Sequence, residues 1–182
     1  MTSVHKKALF LDRDGVINID KNYVYKQEEI EFVDGIFDLC RAAAQKGYFI
    51  FVITNQAGIG RGYYTERDFL ILSKWMKGIF QNQGCSIEKF LYCPYHPIDG
   101  IGKYKVDSYY RKPNPGMLLR VRDRYGVDLE KSILVGDKMT DIEAGASCGV
   151  NLNLLLSDHN INIIYPNAKS IRSLSEVIGY LD

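Results

Sequence analysis

Short apolar segments alternate with longer segments of helical periodicity along this 182-residue chain, and this alternation restricts its fold more than any other feature. Apolar runs of strand length occupy residues 8–11, 49–53, 90–92, 132–135 and 152–156. Helical patterns lie between and after them, over residues 36–46, 65–83, 114–125, 137–148 and 174–180. Such alternation is typical of βαβ units, whose consecutive strands run parallel. The pattern predicts an α/β fold, a Rossmann-like three-layer sandwich with a mainly parallel central sheet.

Two of the predicted helices carry sequence signals at their ends. Thr65 and Asp68 have the spacing of a capping box, and Gly84 follows the end of the same helical pattern. Asn114 and Pro115 predict an N-cap followed by proline at the first helical position. The irregular segment 94–112 lies between the third strand and this helix, and it is the longest predicted loop.

Composition restricts the class of protein further. With 46% hydrophobic residues and no linker or repeat, residues 1–182 are expected to form a single domain. The net charge of +1 gives no indication of a nucleic acid or a membrane surface as partner, so a small molecule is expected. We also expect a monomer, because no apolar surface stripe is left over.

The chain contains no signal-peptide pattern after Met1 and no apolar span of transmembrane length, which predicts a cytoplasmic protein. Its cysteines are widely separated, unlike a disulfide framework, and reduced thiols are expected at Cys40, Cys85, Cys93 and Cys148.

Polar residues follow four of these segments. Asp12 and Asp14 end the first strand, Thr54 the second, Lys112 the loop after the third, and Asp137 the fourth. Taken singly, each has an ordinary structural explanation as a turn, cap or solvated loop residue. Their shared placement is more informative, because ligands of parallel α/β sheets bind outside the carboxyl ends of the strands.

This set of side chains suits phosphoryl transfer. Asp12 can act as the nucleophile, and Asp14 can protonate the leaving group and then activate water. Lys112 and Thr54 would hold the phosphoryl oxygens. Clustered carboxylates repel a phosphate dianion, so a divalent cation is needed, and oxygen ligands such as Asp12 and Asp137 favour Mg²⁺.

The same residues carry a family resemblance. The segments 10–18, 52–56, 111–113 and 135–141 resemble, in order, the four motifs of haloacid dehalogenase-like phosphatases. Their fuller wording, with residues 54–62, 93–97 and 111–117, resembles the D-glycero-D-manno-heptose 1,7-bisphosphate 7-phosphatases and the related histidinol phosphatases.

The resemblance implies a fold without a large cap domain and a role in nucleotide-activated heptose biosynthesis. It implies Asp12 as nucleophile, Asp14 as acid/base, and Mg²⁺ held by Asp12, the Asp14 backbone carbonyl and Asp137. It also implies that the phosphorylated sugar contacts Asp20, Lys21, Asn22, Tyr23, Thr54, Asn55, Gln56, Ala57, Arg111, Lys112 and Lys138. Asp141 has two explanations, as a partner of Lys138 or the metal site, or as a helix N-terminal acid that matches the dipole.

Three alternatives remain. Histidinol phosphatases catalyse the same chemistry. Only the sequence of residues 54–62 favours the heptose bisphosphate phosphatases over them. A response-regulator phosphoacceptor would take its phosphorylated Asp from the third strand, where Tyr92 and Cys93 stand. A binding module without catalysis is disfavoured by the intact set of catalytic residue types.

The loop after the third strand raises a question about zinc. In the resembled enzymes this loop is closed by zinc, and the matching positions here are Cys93, Tyr95, Ser108 and Tyr110. Three of four ligands are absent, and no zinc is expected, although Cys93, His96 and Asp107 could form a makeshift site. We expect packing of Tyr92, Tyr95, Tyr104, Tyr109, Tyr110, Pro94 and Pro97 to hold the loop instead.

Overall fold

A computed structural model describes residues 6–159 and 161–182. The strands are β1 (Ala8–Leu11), β2 (Phe49–Asn55), β3 (Ile87–Cys93), β4 (Ile133–Gly136), β5 (Leu152–Leu156) and β6 (Ala168–Ile171). The helices are α1 (Ile36–Gln45), α2 (Ala57–Gly60), α3 (Glu66–Asn82), α4 (Gly116–Tyr125), α5 (Met139–Ser147) and α6 (Leu174–Ile178). The start of the chain, on which the absence of a signal-peptide pattern was judged, includes residues 1–5, which lie outside the described residues.

All six strands form one parallel sheet in the order β3-β2-β1-β4-β5-β6. Strand β1 therefore lies inside the sheet, between β2 and β4. Leu11, its last residue, is in register with Val52 on one side and Val135 on the other. The residues that follow β1, β2 and β4 consequently emerge at the same edge.

Helices cover both faces of the sheet, and β1 shows why. Leu9 and Leu11 pack into a core beneath α1, α3 and α6, whereas Ala8 and Phe10 pack beneath α4 and α5 on the opposite face. All four side chains are fully buried. An apolar run without polar alternation is what a strand buried on both faces requires, and the three-layer parallel α/β prediction is confirmed.

Several element boundaries differ from the predictions. Strand β6 was not predicted, because its sequence has little apolar character and it lies at the sheet edge, where side chains are partly exposed. The short helix α2 was also missed. Helix α4 starts at Gly116, one position later than predicted, with Pro115 at the N-cap. The prediction of Asn114 as N-cap was wrong. Its side-chain amide donates instead to the Ser108 carbonyl at 3.3 Å.

Other sequence signals match the structure. Thr65 caps α3 through its hydroxyl, which accepts from the Asp68 amide at 3.2 Å, while the Asp68 carboxylate accepts from the Thr65 amide at 2.8 Å. The predicted capping box is confirmed. No helix in the described part of the chain has the length and apolar character needed to cross a membrane.

Candidate active site

Asp12 stands immediately after β1 at the centre of the sheet edge. Its amide extends the ladder by donating to the Val135 carbonyl at 3.0 Å, and its Oδ1 accepts from the Arg13 amide at 2.7 Å. Only 7% of Asp12 is exposed. The backbone therefore fixes one carboxylate oxygen at the base of a depression in the surface.

Lys112 reaches the same point from the loop after β3. Its Nζ lies 3.0 Å from Asp12 Oδ1 and 2.5 Å from Asp141 Oδ1, and it donates to the Ile53 carbonyl at 2.8 Å. Burial opposes the charge on Lys112, but the two carboxylates outweigh burial and raise the pKa of this ammonium. Lys112 therefore stays a cation beside Asp12 at physiological pH.

The backbone of Lys112 is held by Asn55, at the end of β2. The Asn55 amide donates to the Lys112 carbonyl, and its oxygen accepts from the Lys112 amide, both at 3.0 Å. Both ends of this side-chain amide are thus engaged with the protein. Asn55 joins the second strand to the lysine loop, and its contact with the substrate stays a prediction.

Three carboxylates gather at the sheet edge. Asp12, Asp137 and Asp141 each place an oxygen within 4.8 Å of the others. Two glycines permit this approach, because a Cβ on Gly15 would overlap the Asp137 carboxylate and one on Gly136 would overlap Asp141. The sequence left two explanations open for Asp141, and the structure places it in this group, with 1% of its surface exposed.

This carboxylate group has the properties of a divalent-cation site. Burial, together with the negative charge of Asp12, raises the pKa of Asp137 to about 7. Burial also raises the pKa of Asp12, although Lys112 opposes the shift. The Oδ1 atom of Asp137 is buried and has no hydrogen-bond donor among the described residues. Three hard oxygen donors, one of them without a partner, fit Mg²⁺.

Asp14 lies beside this group and is held by side-chain donors on several sides. Arg13 approaches it with Nε and Nη2 at 2.8–3.2 Å, Asn18 donates at 3.0 Å and Gln56 at 3.1 Å. Arg13 is itself 1% exposed and donates to the Val24 carbonyl at 2.7 Å. These donors fix the direction of the Asp14 carboxyl group.

A cavity of about 200 Å³ opens above these groups. Its lining includes most of the predicted site residues, namely Asp12, Asp14, Asp20, Asn22, Tyr23, Thr54, Asn55, Gln56, Ala57, Lys112 and Lys138. Tyr64, Thr140 and Asp141 complete it. A larger cavity of about 380 Å³ beside β3 has a mainly aromatic and aliphatic lining. Lys89, Arg120 and Arg124 also border the larger cavity, but Asp12, Asp14 and Lys112 border the smaller one, so the smaller cavity is the candidate site for phosphoryl transfer.

Sequence relatives share nearly the whole chain. A curated D-glycero-α-D-manno-heptose-1,7-bisphosphate 7-phosphatase from Burkholderia mallei is 51% identical over 176 residues, which cover 96% of this chain and 93% of that protein. A D-glycero-β-D-manno-heptose-1,7-bisphosphate 7-phosphatase from Vibrio cholerae is 42% identical, covering 83% of this chain and 81% of that protein. A HAD-hydrolase-like family model matches residues 109–160. The chain belongs to the haloacid dehalogenase-like phosphatase family. It is a phosphoric monoester hydrolase.

Solved structures agree with membership of the haloacid dehalogenase-like phosphatases. A HAD-like phosphatase candidate from Mesorhizobium loti superposes with a TM-score of 0.88 at 34% identity, over 97% of this chain and 84% of that one. A D,D-heptose 1,7-bisphosphate phosphatase from B. bronchiseptica, complexed with magnesium and phosphate, gives a TM-score of 0.79 at 24% identity, over 96% and 97% of the two chains. The second likeness supports the fold alone.

Two predicted substrate contacts of this phosphatase lie outside the lining of the small cavity. Lys21 forms an ion pair with Glu31 at 2.9 Å, and 46% of its side chain is exposed. Arg111 donates to the Tyr95 carbonyl at 3.3 Å. By contrast, Lys138 reaches over the cavity to Asp20 at 3.1 Å.

The loop 94–112 is tied to the domain by a carboxylate. Glu66, at the start of α3, accepts from the Tyr92 hydroxyl at 2.6 Å and from the Tyr104 hydroxyl at 2.7 Å. The Tyr95 and Tyr104 rings lie 6.0 Å apart. The loop is therefore held by hydrogen bonds as well as by the aromatic packing that the sequence indicated. Glu66 had not been singled out.

The makeshift zinc ligands are not gathered into a metal-binding group within the described ranges. His96 Nδ1 accepts from the amides of Ile98 and Asp99 at 3.3 and 3.0 Å. The Cys93 thiol lies 4.0 Å from the Tyr95 carbonyl.

Sequence reasoning missed four residues of this site, one of which is Thr140 in the cavity lining. Arg13 and Asn18 lie inside the first motif, residues 10–18, but only the structure shows that both donate hydrogen bonds to Asp14. Tyr64 contacts the site through Gln56, eight residues away in sequence. A signal was available for Arg13, because an arginine between two aspartates at the end of a buried strand must find an acidic partner.

Proposed function

We propose that this enzyme removes the 7-phosphate of D-glycero-D-manno-heptose 1,7-bisphosphate through an aspartyl-phosphate intermediate. The observation that carries the proposal is the 51% identity with a curated heptose bisphosphate 7-phosphatase across 96% of the chain. The geometry supports it, since a buried carboxylate, a buried ammonium and a second carboxylate border one small polar cavity.

In the first step, an Asp12 carboxylate oxygen attacks phosphorus and the bond from phosphorus to the sugar oxygen breaks. The Lys112 ammonium, 3.0 Å from Asp12, offsets the charge that develops on the phosphoryl oxygens. Thr54 supplies a hydroxyl donor from the end of β2. Asp14, in its protonated form, gives its proton to the departing sugar oxygen.

In the second step, Asp14 takes a proton from water, and the water oxygen attacks phosphorus of the aspartyl phosphate. The bond between phosphorus and Asp12 breaks, which releases inorganic phosphate and regenerates the carboxylate. The hydrogen bonds from Arg13, Asn18 and Gln56 hold the Asp14 carboxyl group in one direction through both steps.

Mg²⁺ is the cofactor that the carboxylate group fits. Asp12 and Asp137 would hold it, with the Asp14 backbone carbonyl as a third ligand, and Asp141 stands close enough to orient them. When bound, the cation supplies positive charge that lets a phosphate dianion approach the carboxylates.

The rim residues are proposed to bind the sugar. Asp20, Asn22, Tyr23, Ala57 and Lys138 all border the cavity, and Lys138 pairs with Asp20 at 3.1 Å. Lys21 and Arg111 lie farther out, where a second phosphate would be placed. The Arg111 guanidinium can bind such a group with two parallel hydrogen bonds.

The α anomer is the proposed substrate. Curated relatives that act on it are 51% and 45% identical over 96% of the chain, whereas those that act on the β anomer reach 36–43% over 82–83%. Histidinol phosphate is the second candidate, because the chemistry at phosphorus is the same. Steady-state kcat/KM for both anomers, histidinol phosphate and fructose 1,6-bisphosphate separates these cases. A preference for histidinol phosphate would overturn the proposed substrate.

We further propose a cytoplasmic monomer with no nucleic acid or membrane partner. The four cysteines are free thiols, which agrees with a reducing compartment. Light scattering of the purified protein tests the oligomeric state.

A further inference from the structure

Gln56 occupies an unusual place in the site. It follows β2 directly after Thr54 and Asn55, it borders the cavity, and yet only 1% of its surface is exposed. Its backbone is fixed as well, because its amide donates to the Cys93 carbonyl at 2.8 Å. A buried amide side chain is stable only if its donors and its acceptor find partners.

Every polar atom of the Gln56 side chain has such a partner. Nε2 donates to Asp14 Oδ2 at 3.1 Å and to Thr54 Oγ1 at 2.8 Å. Oε1 accepts from the Tyr64 hydroxyl at 2.5 Å. An amide nitrogen carries two hydrogens, and both are engaged. Gln56 therefore has no donor left for a substrate, although it had been predicted as a substrate contact.

The direction of this amide is determined by its neighbours. If the group were flipped, its oxygen would face the Asp14 carboxylate, and two acceptors would stand opposite each other. Tyr64 reinforces the observed direction, because burial raises the pKa of its hydroxyl and keeps it a donor. The Tyr64 ring is itself held by a stacked Tyr25 ring at 5.1 Å.

We propose that Tyr64 is a positioning residue that acts through Gln56, and that Gln56 in turn orients both Asp14 and Thr54 for phosphoryl transfer. The consequence for Thr54 is specific. Its Oγ1 already accepts from Gln56, so its own hydrogen is directed to another acceptor, and the phosphoryl oxygen in the cavity is that acceptor. The consequence for Asp14 is a fixed carboxylate direction. This inference rests on the phosphatase reaction proposed above.

A double-mutant cycle tests the inference with Mg²⁺ and heptose 1,7-bisphosphate in a phosphate-release assay. Tyr64→Phe keeps the ring and removes the donor, and it should lower kcat roughly five- to tenfold while KM changes less than about twofold. Gln56→Ala should lower kcat by more, about 30-fold. Adding Tyr64→Phe to Gln56→Ala should cause no further loss, because the hydroxyl then has no amide to orient.

Tyr48→Phe is the matched control. It removes another buried phenol hydroxyl, one that accepts from the Asp182 amide at the opposite end of the sheet, and it should leave kcat unchanged. Equal losses from Tyr64→Phe in both backgrounds, or no loss in wild type, would overturn the inference and leave the phosphatase intact. An inactive wild type would instead refute the proposed function.

A second measurement does not depend on catalytic activity. The side-chain NH₂ signals of Gln56 in ¹⁵N NMR spectra, assigned by their loss in Gln56→Ala, should exchange slowly with solvent in wild type. Rapid exchange there, as in an exposed glutamine, would contradict a locked amide. In Tyr64→Phe the same signals should exchange at least about tenfold faster.

Discussion

Removal of metal should make the stability of this protein fall as pH rises, and the carboxylate group explains why. Burial raises the pKa of Asp137 from 3.8 to about 7 in the metal-free fold. Between those pH values the folded state binds a proton that the unfolded chain has lost, so raising the pH favours unfolding. Asp12, whose pKa is also raised, adds to the effect with the same sign.

The magnitude follows from the size of the shift. A pKa displaced by about three units corresponds to up to about 4 kcal/mol, lost progressively between about pH 4 and pH 7. For a chain of this length, 1 kcal/mol changes Tm by about 2–4 °C, so the part lost above pH 5 corresponds to roughly 5–10 °C. Mg²⁺ at a hundred times its Kd restores about 2.7 kcal/mol. That restoration should be large at pH 8 and small at pH 5, where protons compete for the carboxylates.

Differential scanning calorimetry of EDTA-treated protein from pH 5 to 8, with and without Mg²⁺, measures both effects. Carboxylates with lowered pKa values, such as Asp20 and Glu66, also stabilise the fold. Their contribution is lost only as the pH falls below the range of pH 5 to 8. His96 has a lowered pKa and contributes a small rise in stability with pH, opposite in sign. Asp137→Asn is the control, since it should remove most of the decline and the Mg²⁺ effect together. A metal-free wild type whose Tm follows that of Asp137→Asn at every pH would refute the reasoning.

Three other substitutions test the site and one tests the loop. Asp12→Asn should lower kcat by at least about 10³-fold without loss of folding, measured as phosphate release and circular dichroism, and substantial turnover would contradict the nucleophile assignment. Lys112→Met should abolish activity and destabilise the fold by about 3–5 kcal/mol in urea denaturation, because it leaves buried carboxylates without their cation. Gly15→Ala, at a φ of +91° and against the carboxylate of Asp137, should weaken Mg²⁺ binding in calorimetric titration at least about tenfold. Glu66→Gln should lower Tm by a few degrees and raise KM more than it changes kcat, since it loosens the loop that carries the second-phosphate contacts.

The fold was predictable because buried parallel strands carry an unmistakable pattern. Four apolar residues in a row at Ala8–Leu11 leave no solvent-facing side, and the structure covers both faces. The same criterion fails for Ala168–Ile171, where an edge position tolerates lysine and serine. Burial on both faces therefore leaves a pattern in the sequence, whereas hydrogen-bond pairing at the edge of a sheet does not.

The locations of the reactive groups were predictable for a related reason. Residues that follow adjacent parallel strands must emerge together, so Asp12, Thr54 and Asp137 could be placed at one edge before any contact was known. Lys112 comes from a loop, and only its sequence motif indicated it. Glu66 had no signal, because its partners Tyr92 and Tyr104 lie 26 and 38 residues away.

What the sequence could not distinguish is a residue that touches substrate from one that holds the residues that do. Asn55 and Gln56 follow β2 at the cavity, and their position alone suits both roles. The distinction appears only when hydrogen-bond donors are counted. The Asn55 side chain donates one N–H to the Lys112 backbone. Gln56 donates both of its side-chain hydrogens, one to Asp14 and one to Thr54. Because a side-chain amide nitrogen carries only two hydrogens, Gln56 has none left to donate to a ligand. We therefore expect substitution of Gln56 to change kcat more than substrate preference, measured as the ratio of kcat/KM for heptose 1,7-bisphosphate to that for histidinol phosphate.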